Sequence, residues 1–375
     1  MRCLSARALC TKWLPVHLWL ALVGGSGCGS TDPSDESPVT GPGMCDTTAL
    51  TSRLQALATA EDFAFYVESP TGASLTVERG AATMETAFES ASTSKWVAAA
   101  TILWLVDQGV LALTDHPQDY LSDTQWPVAA GSALSNITLS HLLSFTSGLN
   151  EEVACTNLPN SDFFTCVRNV ALRNADSAPE PGTTFSYGSN HLQVAAAMAV
   201  AATEHSGWSS VFDDFKRATG LFPTSQFNLP STTNPRVAGG MTWTATEYIA
   251  FIRAYRDGDF YDDGALLEQA RSNQVGNASI AKSPAFAGLG EDWRYGYGQW
   301  LECHSDTFEP SCADEATVSS PGAYGAYPWL AWSSGAFGII ARQGNLGTFT
   351  EGYAIFDQAR DLVEEWIRCE ASAAP

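Results

Sequence analysis

In Ser74-Leu75-Thr76-Val77-Glu78, polar and apolar residues alternate with a period of two, the pattern of a strand with one buried face. The run Phe63 to Glu68 just before it also reads as a strand, and Ser69-Pro70-Thr71-Gly72 between them is a turn. Together they predict a hairpin over 63–78. Leu54 to Ala60 reads as the end of a preceding helix. Beyond the hairpin the pattern changes. Residues Ser94 to Gln108 include Trp96-Val97-Ala98-Ala99-Ala100-Thr101-Ile102-Leu103-Trp104-Leu105-Val106. That stretch is too long for one strand and apolar nearly all round, so it predicts a buried helix, stopped at Gly109.

The middle of the chain is helical and rich in loops. Ser140 is expected to cap His141-Leu142-Leu143. An Ala-rich helix is expected over His191 to His205, and another over Thr246 to Arg256, capped near Thr244 and stopped by Asp257-Gly258. The C-terminal third turns strand-like over Tyr295 to Glu302, Phe337 to Ala341 and Gly352 to Ile355, and a helix over Asp357 to Glu370 closes the chain. The order is helix, strand pair, long helical insert, strands, helix. It implies an α/β (α+β) fold: an antiparallel sheet drawn from both ends of the chain, flanked by helices, with an all-helical subdomain inserted.

The first 28 residues differ from the rest. Arg2, Arg7 and Lys12 stand in a segment without acids, and the apolar run Leu14 to Val23 is too short to span a bilayer. This reads as an export signal over 1–28. Gly24-Gly25-Ser26-Gly27-Cys28 resembles a bacterial lipoprotein signal, with Gly25 where an aliphatic residue is usual, so Cys28 is a candidate membrane tether. Ordinary signal cleavage nearby is the other reading. Residues 29–44 are rich in Ser, Asp and Pro and read as a flexible linker, which leaves 45–375 as one domain. Localisation is expected to be periplasmic or secreted.

With 45% hydrophobic and 16% charged residues the chain is globular, and its net charge of −22 opposes nucleic-acid binding. Six cysteines follow the signal. In an exported chain an even number suggests disulfides, and the expected pairs are Cys155–Cys166, Cys303–Cys312 and Cys45–Cys369. No Cys-x-x-Cys or His-x3-His spacing supports a metal site, and no cofactor is implied.

The candidate chemistry starts at Ser92-Thr93-Ser94-Lys95, where a loop meets the buried helix. Ser92 and Lys95 are three apart and share a face. The positive end of the helix dipole and the crowding of Trp96 to Ala100 both oppose a protonated Lys95, and a neutral amine can take the proton of Ser92. The pattern alone is weak, because Ser279-Ile280-Ala281-Lys282 repeats it with no long apolar helix behind it. Downstream, Tyr187 sits between the turn Pro181-Gly182 and the Ala-rich helix, where a phenol or phenolate could relay a proton. Val318 to Gly325 is rich in Gly and small residues, which lets backbone approach a ligand, and an N–H there could pair with that of Ser92 as an oxyanion hole.

These segments together resemble the serine β-lactamase and penicillin-binding-protein superfamily, in its class C-like branch of β-lactamase-related hydrolases and esterases. Ser92-x-x-Lys95 matches the first family motif. Asp107 to Asp115 with Tyr120-Leu121, Ile137 to Leu149, Pro181-Gly182-Thr183 and Ala238-Gly239-Gly240-Met241 resemble further family stretches. The resemblance implies a β-lactamase/transpeptidase-like fold, Tyr187 as a third catalytic residue, and Ala323 as the second oxyanion donor. His141 is read as a packing residue. Two positions depart from the family pattern. Tyr-x-Asn is Tyr187-Gly188-Ser189 here, with Asn190 next. The Lys or His that opens the third motif is Ser320, in Ser320-Pro321-Gly322. A cation there would bind a substrate carboxylate, so its absence counts against β-lactams and leaves ester or amide chemistry open.

The expected activity is thus acyl transfer from a small-molecule or peptide-like substrate to water. Ser92, Lys95 and Tyr187 would be catalytic; Ser189, Asn190, Ser320, Gly322 and Ala323 would bind substrate or the oxyanion. A β-lactamase or D-alanyl-D-alanine carboxypeptidase, and a non-hydrolytic surface binding protein, are the alternatives. The expected protein is a monomer. No Gly-x-Ser-x-Gly elbow is present, which argues against an α/β-hydrolase. Trp293, Tyr295, Tyr297, Trp300, Tyr324, Tyr327, Trp329 and Trp332 crowd the last third, more as core than as the lining of an aromatic cleft.

Overall fold

The computed structural model describes residues 45–89, 91–314 and 317–373. The export signal, the linker and Cys28 lie outside them. Helix α1 (Thr48–Ala56) leads into the hairpin β1 (Phe63–Glu68) and β2 (Ser74–Arg79), followed by β3 (Phe88–Glu89) and α2 (Ser94–Asp107). The insert holds α3 (Leu139–Leu143), α4 (Phe163–Asn174), β4 (Thr184–Ser186), α5 (Asn190–Ala202), α6 (Trp208–Thr219), β5 (Gln226–Phe227), β6 (Met241–Trp243), α7 (Ala245–Asp257), α8 (Gly264–Arg271), β7 (Ser279–Lys282) and α9 (Pro284–Leu289). The last part holds β8 (Arg294–Tyr295), β9 (Trp300–Leu301), α10 (Pro310–Asp314), β10 (Thr317–Ser319), β11 (Tyr327–Ala331), β12 (Ala336–Ala341), α11 (Phe349–Asp357) and α12 (Arg360–Ala373).

Seven strands form one antiparallel sheet in the order β2-β1-β12-β11-β10-β9-β8. β1 pairs with β12, Phe65 opposite Ile340, so the sheet is drawn from both ends of the chain as expected. Both strands are almost wholly buried, which fits a sheet covered on two faces and explains their apolar runs. All three expected disulfides form: Cys45–Cys369, Cys155–Cys166 and Cys303–Cys312. The first ties the segment just before α1 to α12, and beside it the Cys45 N–H donates to the buried Glu370 carboxylate at 2.9 Å.

Helix α2 is the buried helix of the sequence pattern. Eleven of its fourteen residues are buried, and Gly109 follows it with φ +69°. Trp96 meets Phe251 and Tyr255 of α7 edge-on, and α5 packs along α2. At Gly298, in the turn between β8 and β9, φ is +75° and a Cβ would lie 2.7 Å from the Lys95 carbonyl oxygen. Only glycine lets that turn rest on the first turn of α2.

Several boundaries differ from expectation. Tyr295 to Glu302 is not one strand but the hairpin β8–β9, because Gly296 and Gly298 bend it. Gly352 to Ile355 lies within helix α11. A four-residue apolar run carries no period that separates helix from strand; here Gly352, Tyr353, Ile355 and Phe356 form the buried face of a helix. The closing helix starts only at Arg360, after α11 has ended. Thr138, not Ser140, caps α3: its Oγ1 accepts from His141 N–H, and the Thr138 N–H donates to the His141 ring in return. His141 is thus a capping and packing residue. α1 ends at Ala56 and α5 at Ala202, each a few residues short of expectation.

The Cys45–Cys369 bridge spans 324 residues of sequence. A Cys45→Ser/Cys369→Ser variant is expected to lose about 2–4 kcal/mol of stability, because the crosslink no longer restrains the unfolded chain. Urea unfolding of the two proteins measures this, and coincident curves would contradict it.

Candidate active site

Ser92 lies in a single 3-10 turn, Ala91–Thr93, that runs straight into α2. Ala91 adopts φ +45°, which costs a non-glycine residue about 1 kcal/mol. Neighbouring elements hold the turn. Trp243 Nε1 donates to Thr93 Oγ1 at 3.0 Å, the Tyr248 hydroxyl to the Thr93 carbonyl at 2.9 Å, and the Met241 N–H to Ser94 Oγ at 3.1 Å. Ser320, just past β10, donates from Oγ to the Ser92 carbonyl at 2.9 Å. The nucleophile candidate is therefore fastened from β6, α7 and the main sheet together.

Lys95 is 3% exposed, and its Nζ lies 3.0 Å from Ser92 Oγ and 2.8 Å from the Ala238 carbonyl oxygen. The amine also sits 4.7 Å from the Tyr187 ring centre. Burial, reinforced by Arg236 and Lys282 and opposed by Glu152, brings its pKa down to about 7. A neutral amine donating one N–H to Ala238 keeps its lone pair free for the Ser92 proton.

Tyr187 leaves β4, its ring stacked on Trp300 at 5.0 Å and edge-on to Phe145 and Tyr295. Burial pushes its phenol well up, against the opposing effect of hydrogen bonding to the Ser92 side chain. The group is protonated at neutral pH, so it is a candidate proton donor and not the phenolate that the sequence also allows. Behind it His191 is buried and neutral, its pKa lowered to about 4 chiefly by burial. Its Nδ1 meets Ser147 Oγ at 2.7 Å and its Nε2 meets the Ser186 carbonyl at 2.9 Å, which holds the residue before Tyr187.

A cavity of about 500 Å³ opens over these groups, bounded by Ser92, Lys95, Glu152, Val153, Ala154, Asn157, Tyr187, Gly188, Ser189 and Lys282. Of the residues predicted from sequence, Ser92, Lys95, Tyr187 and Ser189 meet here. Asn190 does not: it is fully buried and its Nδ2 donates to the carbonyls of Leu149 and Glu151, which fixes the loop that carries Glu152. Ser320, Gly322 and Ala323 are not on the cavity wall. Ser320 acts on the Ser92 backbone instead. The Gly322 N–H is taken by the Ala326 carbonyl at 2.8 Å, so Gly322 is not an oxyanion donor and Ala323 is the remaining candidate of that segment. The aromatic residues of the last third are packing: Trp293, Tyr295, Tyr297, Trp300, Tyr327 and Trp329 are buried, and none bounds the cavity.

Three charged residues were not predicted. Glu152 reaches the site and accepts the Ser189 N–H at 2.7 Å. Arg236 is held by Asn157 Oδ1 and the Gly239 carbonyl. Lys282 ends Ser279-Ile280-Ala281-Lys282, the second copy of the Ser-x-x-Lys pattern. That segment is β7, and its parallel pairing with β4 brings Lys282 beside Tyr187, whose N–H donates to the Lys282 carbonyl at 3.0 Å. No local signal marks these residues, because each reaches the site through a long-range pairing. Among the described residues no group of His, Cys, Asp and Glu could hold a metal ion.

A family model described as Beta-lactamase matches residues 70–341. The chain belongs to the Beta-lactamase family. The family span runs from the first hairpin to the end of β12 and so includes every residue of the cavity. Among solved structures, a protein described as a putative β-lactamase from Bacteroides dorei DSM 17855 is similar at 25% identity and TM-score 0.68, covering 81% of this chain and 93% of that one. EstCE1, described as a hydrolase with promiscuous acyltransferase activity, shares the fold at 18% identity and TM-score 0.65, with 84% and 98% covered. A D-stereospecific amidohydrolase from Streptomyces sp. shares it at 17% identity and TM-score 0.59, with 81% and 96% covered. No curated protein matches the sequence significantly.

The displaced Lys95 pKa has a consequence for stability. Between about 7 and the ordinary value of 10.5 the unfolded chain binds a proton that the folded one does not, so this group's contribution to stability rises with pH across that window and is most adverse below it. Lys95→Met is expected to be more stable than wild type at about pH 6 by a few kcal/mol, with the gap narrowing towards about pH 9. Urea unfolding of both proteins at the two pH values tests this; parallel curves would mean an ordinary Lys95.

Proposed function

We propose that the protein is a serine hydrolase that acts on an ester or amide through a covalent acyl-enzyme on Ser92. The observation that carries this reading is the 3.0 Å contact of Ser92 Oγ with the buried Lys95 amine, whose pKa is about 7. In the proposed first step Lys95 takes the Ser92 proton as Oγ bonds to the substrate carbonyl carbon. The resulting oxyanion is received by the N–H groups of Ser92 and Ala323. The C–O or C–N bond to the leaving group then breaks, the leaving group takes the Tyr187 hydroxyl proton, and Tyr187 regains a proton from Lys95. Water reverses the sequence, with Lys95 as base, and frees the acid.

Ester and amide substrates are favoured over β-lactams because the third-motif position offers the Ser320 hydroxyl, already bonded to the Ser92 carbonyl, where a cation would hold a β-lactam carboxylate. EstCE1, a hydrolase with promiscuous acyltransferase activity, and the D-stereospecific amidohydrolase from Streptomyces sp. point the same way. The proposal extends to an exported, monomeric protein, tethered through Cys28, acting on small acyl compounds. Three disulfides fit an oxidising compartment, and no helix among the described residues is long and apolar enough to cross a membrane.

Purified protein is expected to be labelled by a fluorophosphonate and to hydrolyse p-nitrophenyl esters. Ser92→Ala should abolish both, and a fluorescent penicillin should label poorly. Absence of labelling and of ester turnover would leave a non-hydrolytic binding protein as the reading. The kcat/KM for esters is expected to rise with pH through about 7, as Lys95 loses its proton, and to reach a plateau above. A profile already flat from about pH 5 upward would remove Lys95 as the base.

A further inference from the structure

The site lacks a cation at Ser320, yet it is not short of positive charge. Lys282 bounds the same cavity as Ser92, Lys95 and Tyr187. Its position is set by backbone geometry: Ser186 and Lys282 are paired across β4 and β7, and the Tyr187 N–H donates to the Lys282 carbonyl. All four residues of β7 are exposed. Among the described residues no carboxylate is paired with the Lys282 ammonium, whereas Lys216, on the far helix α6, is paired with Asp213. Arg236 likewise has no acidic partner and is held by neutral oxygens only.

Among the described residues the cavity wall therefore carries Lys282 and one acid, Glu152, whose Oε1 accepts the Ser189 N–H, while Arg236 bonds to the lining residue Asn157. The chain as a whole carries −22, a charge that repels anions unless the local field is reversed. An ammonium without a paired carboxylate, on the wall of the cavity that Ser92 also bounds, can receive a carboxylate.

We propose that Lys282 is a carboxylate-binding residue of this site, receiving a carboxylate on the acyl group rather than the leaving-group-side carboxylate of a β-lactam that a cation at position 320 would hold. The inference rests on the hydrolase reading above and names its substrate class: acyl esters or amides that carry a carboxylate on the acyl group. A cavity of about 500 Å³ has room for a short acyl chain that ends in a carboxylate.

The test compares the mono-p-nitrophenyl ester of glutaric acid with p-nitrophenyl pentanoate, which has the same chain length and no charge. Wild type is expected to favour the glutarate ester about tenfold in kcat/KM, and about 0.5 M NaCl should shrink the preference. Lys282→Met should erase the preference, Lys282→Arg should keep it, and Lys216→Met, which removes an equal charge elsewhere, should leave it unchanged. Comparing the two esters within each variant separates carboxylate binding from any change in Lys95, which affects both alike. Calorimetric binding of monomethyl glutarate to Ser92→Ala protein, with and without Lys282→Met, reads the subsite without turnover. Lysine-dependent binding in a protein that neither labels nor turns over esters would sink the hydrolase reading while leaving Lys282 as a carboxylate-binding group. No glutarate preference in wild type, a preference unchanged in Lys282→Met, or glutarate binding indifferent to Lys282 would each overturn it.

Discussion

The structure around the site depends on keeping one amine out of water. Lys95 in an ordinary solvated place would be an ammonium with a pKa near 10 and useless as a base for Ser92. Burial at the head of α2 changes that, and burial requires that α2 be apolar on every face, with Trp96, Val97 and Ala98 to Ala100 packed on neighbours. The Ala238 carbonyl gives the amine the one acceptor it needs, so it is desolvated without being stranded. The arrangement is unfavourable for folding and useful for chemistry, the balance expected where local preference is overridden at a functional site.

The rest of the fold holds that helix end in place. The seven-stranded sheet, closed by β1 against β12, delivers Ser320 to the Ser92 carbonyl. Strand β6 and helix α7 deliver Trp243, Tyr248 and Met241 to Thr93 and Ser94. The hairpin β8–β9 rests on Lys95 through Gly298 and backs Tyr187 with Trp300. Elements far apart in sequence thus meet on residues 92–95, and the small strained turn at Ala91 persists because they over-determine it.

Membership of the Beta-lactamase family accounts for the scaffold but not for the charge pattern of this site. Where a cation would stand at the third motif, Ser320 braces the Ser92 backbone. Where Tyr-x-Asn would offer an amide, Ser189 faces the cavity and Asn190 is turned inward to hold the Glu152 loop. Positive charge enters instead from β7 and from Arg236. A shared fold with rearranged polar groups points to altered substrate preference, because a site's polar groups, more than its scaffold, select what binds.

Much of this was legible in the linear chain. The all-apolar stretch after Ser94 identified a buried helix, and the three-residue spacing placed Ser92 and Lys95 on one side of it, because helix period and desolvation are local properties. The alternation at 74–78 and the even cysteine count were likewise enough for the hairpin and for a disulfide-bonded domain. The short apolar run at Gly352 was read wrongly as a strand, since four residues carry no period. What only tertiary structure decided are the groups that arrive by long-range pairing: the inward turn of Asn190, Ser320 on the backbone rather than the cavity, and above all Lys282. In sequence Ser279 to Lys282 was a mimic of the catalytic pattern without a helix behind it. Register between two strands nearly a hundred residues apart, which no local spacing encodes, makes its lysine a wall of the site.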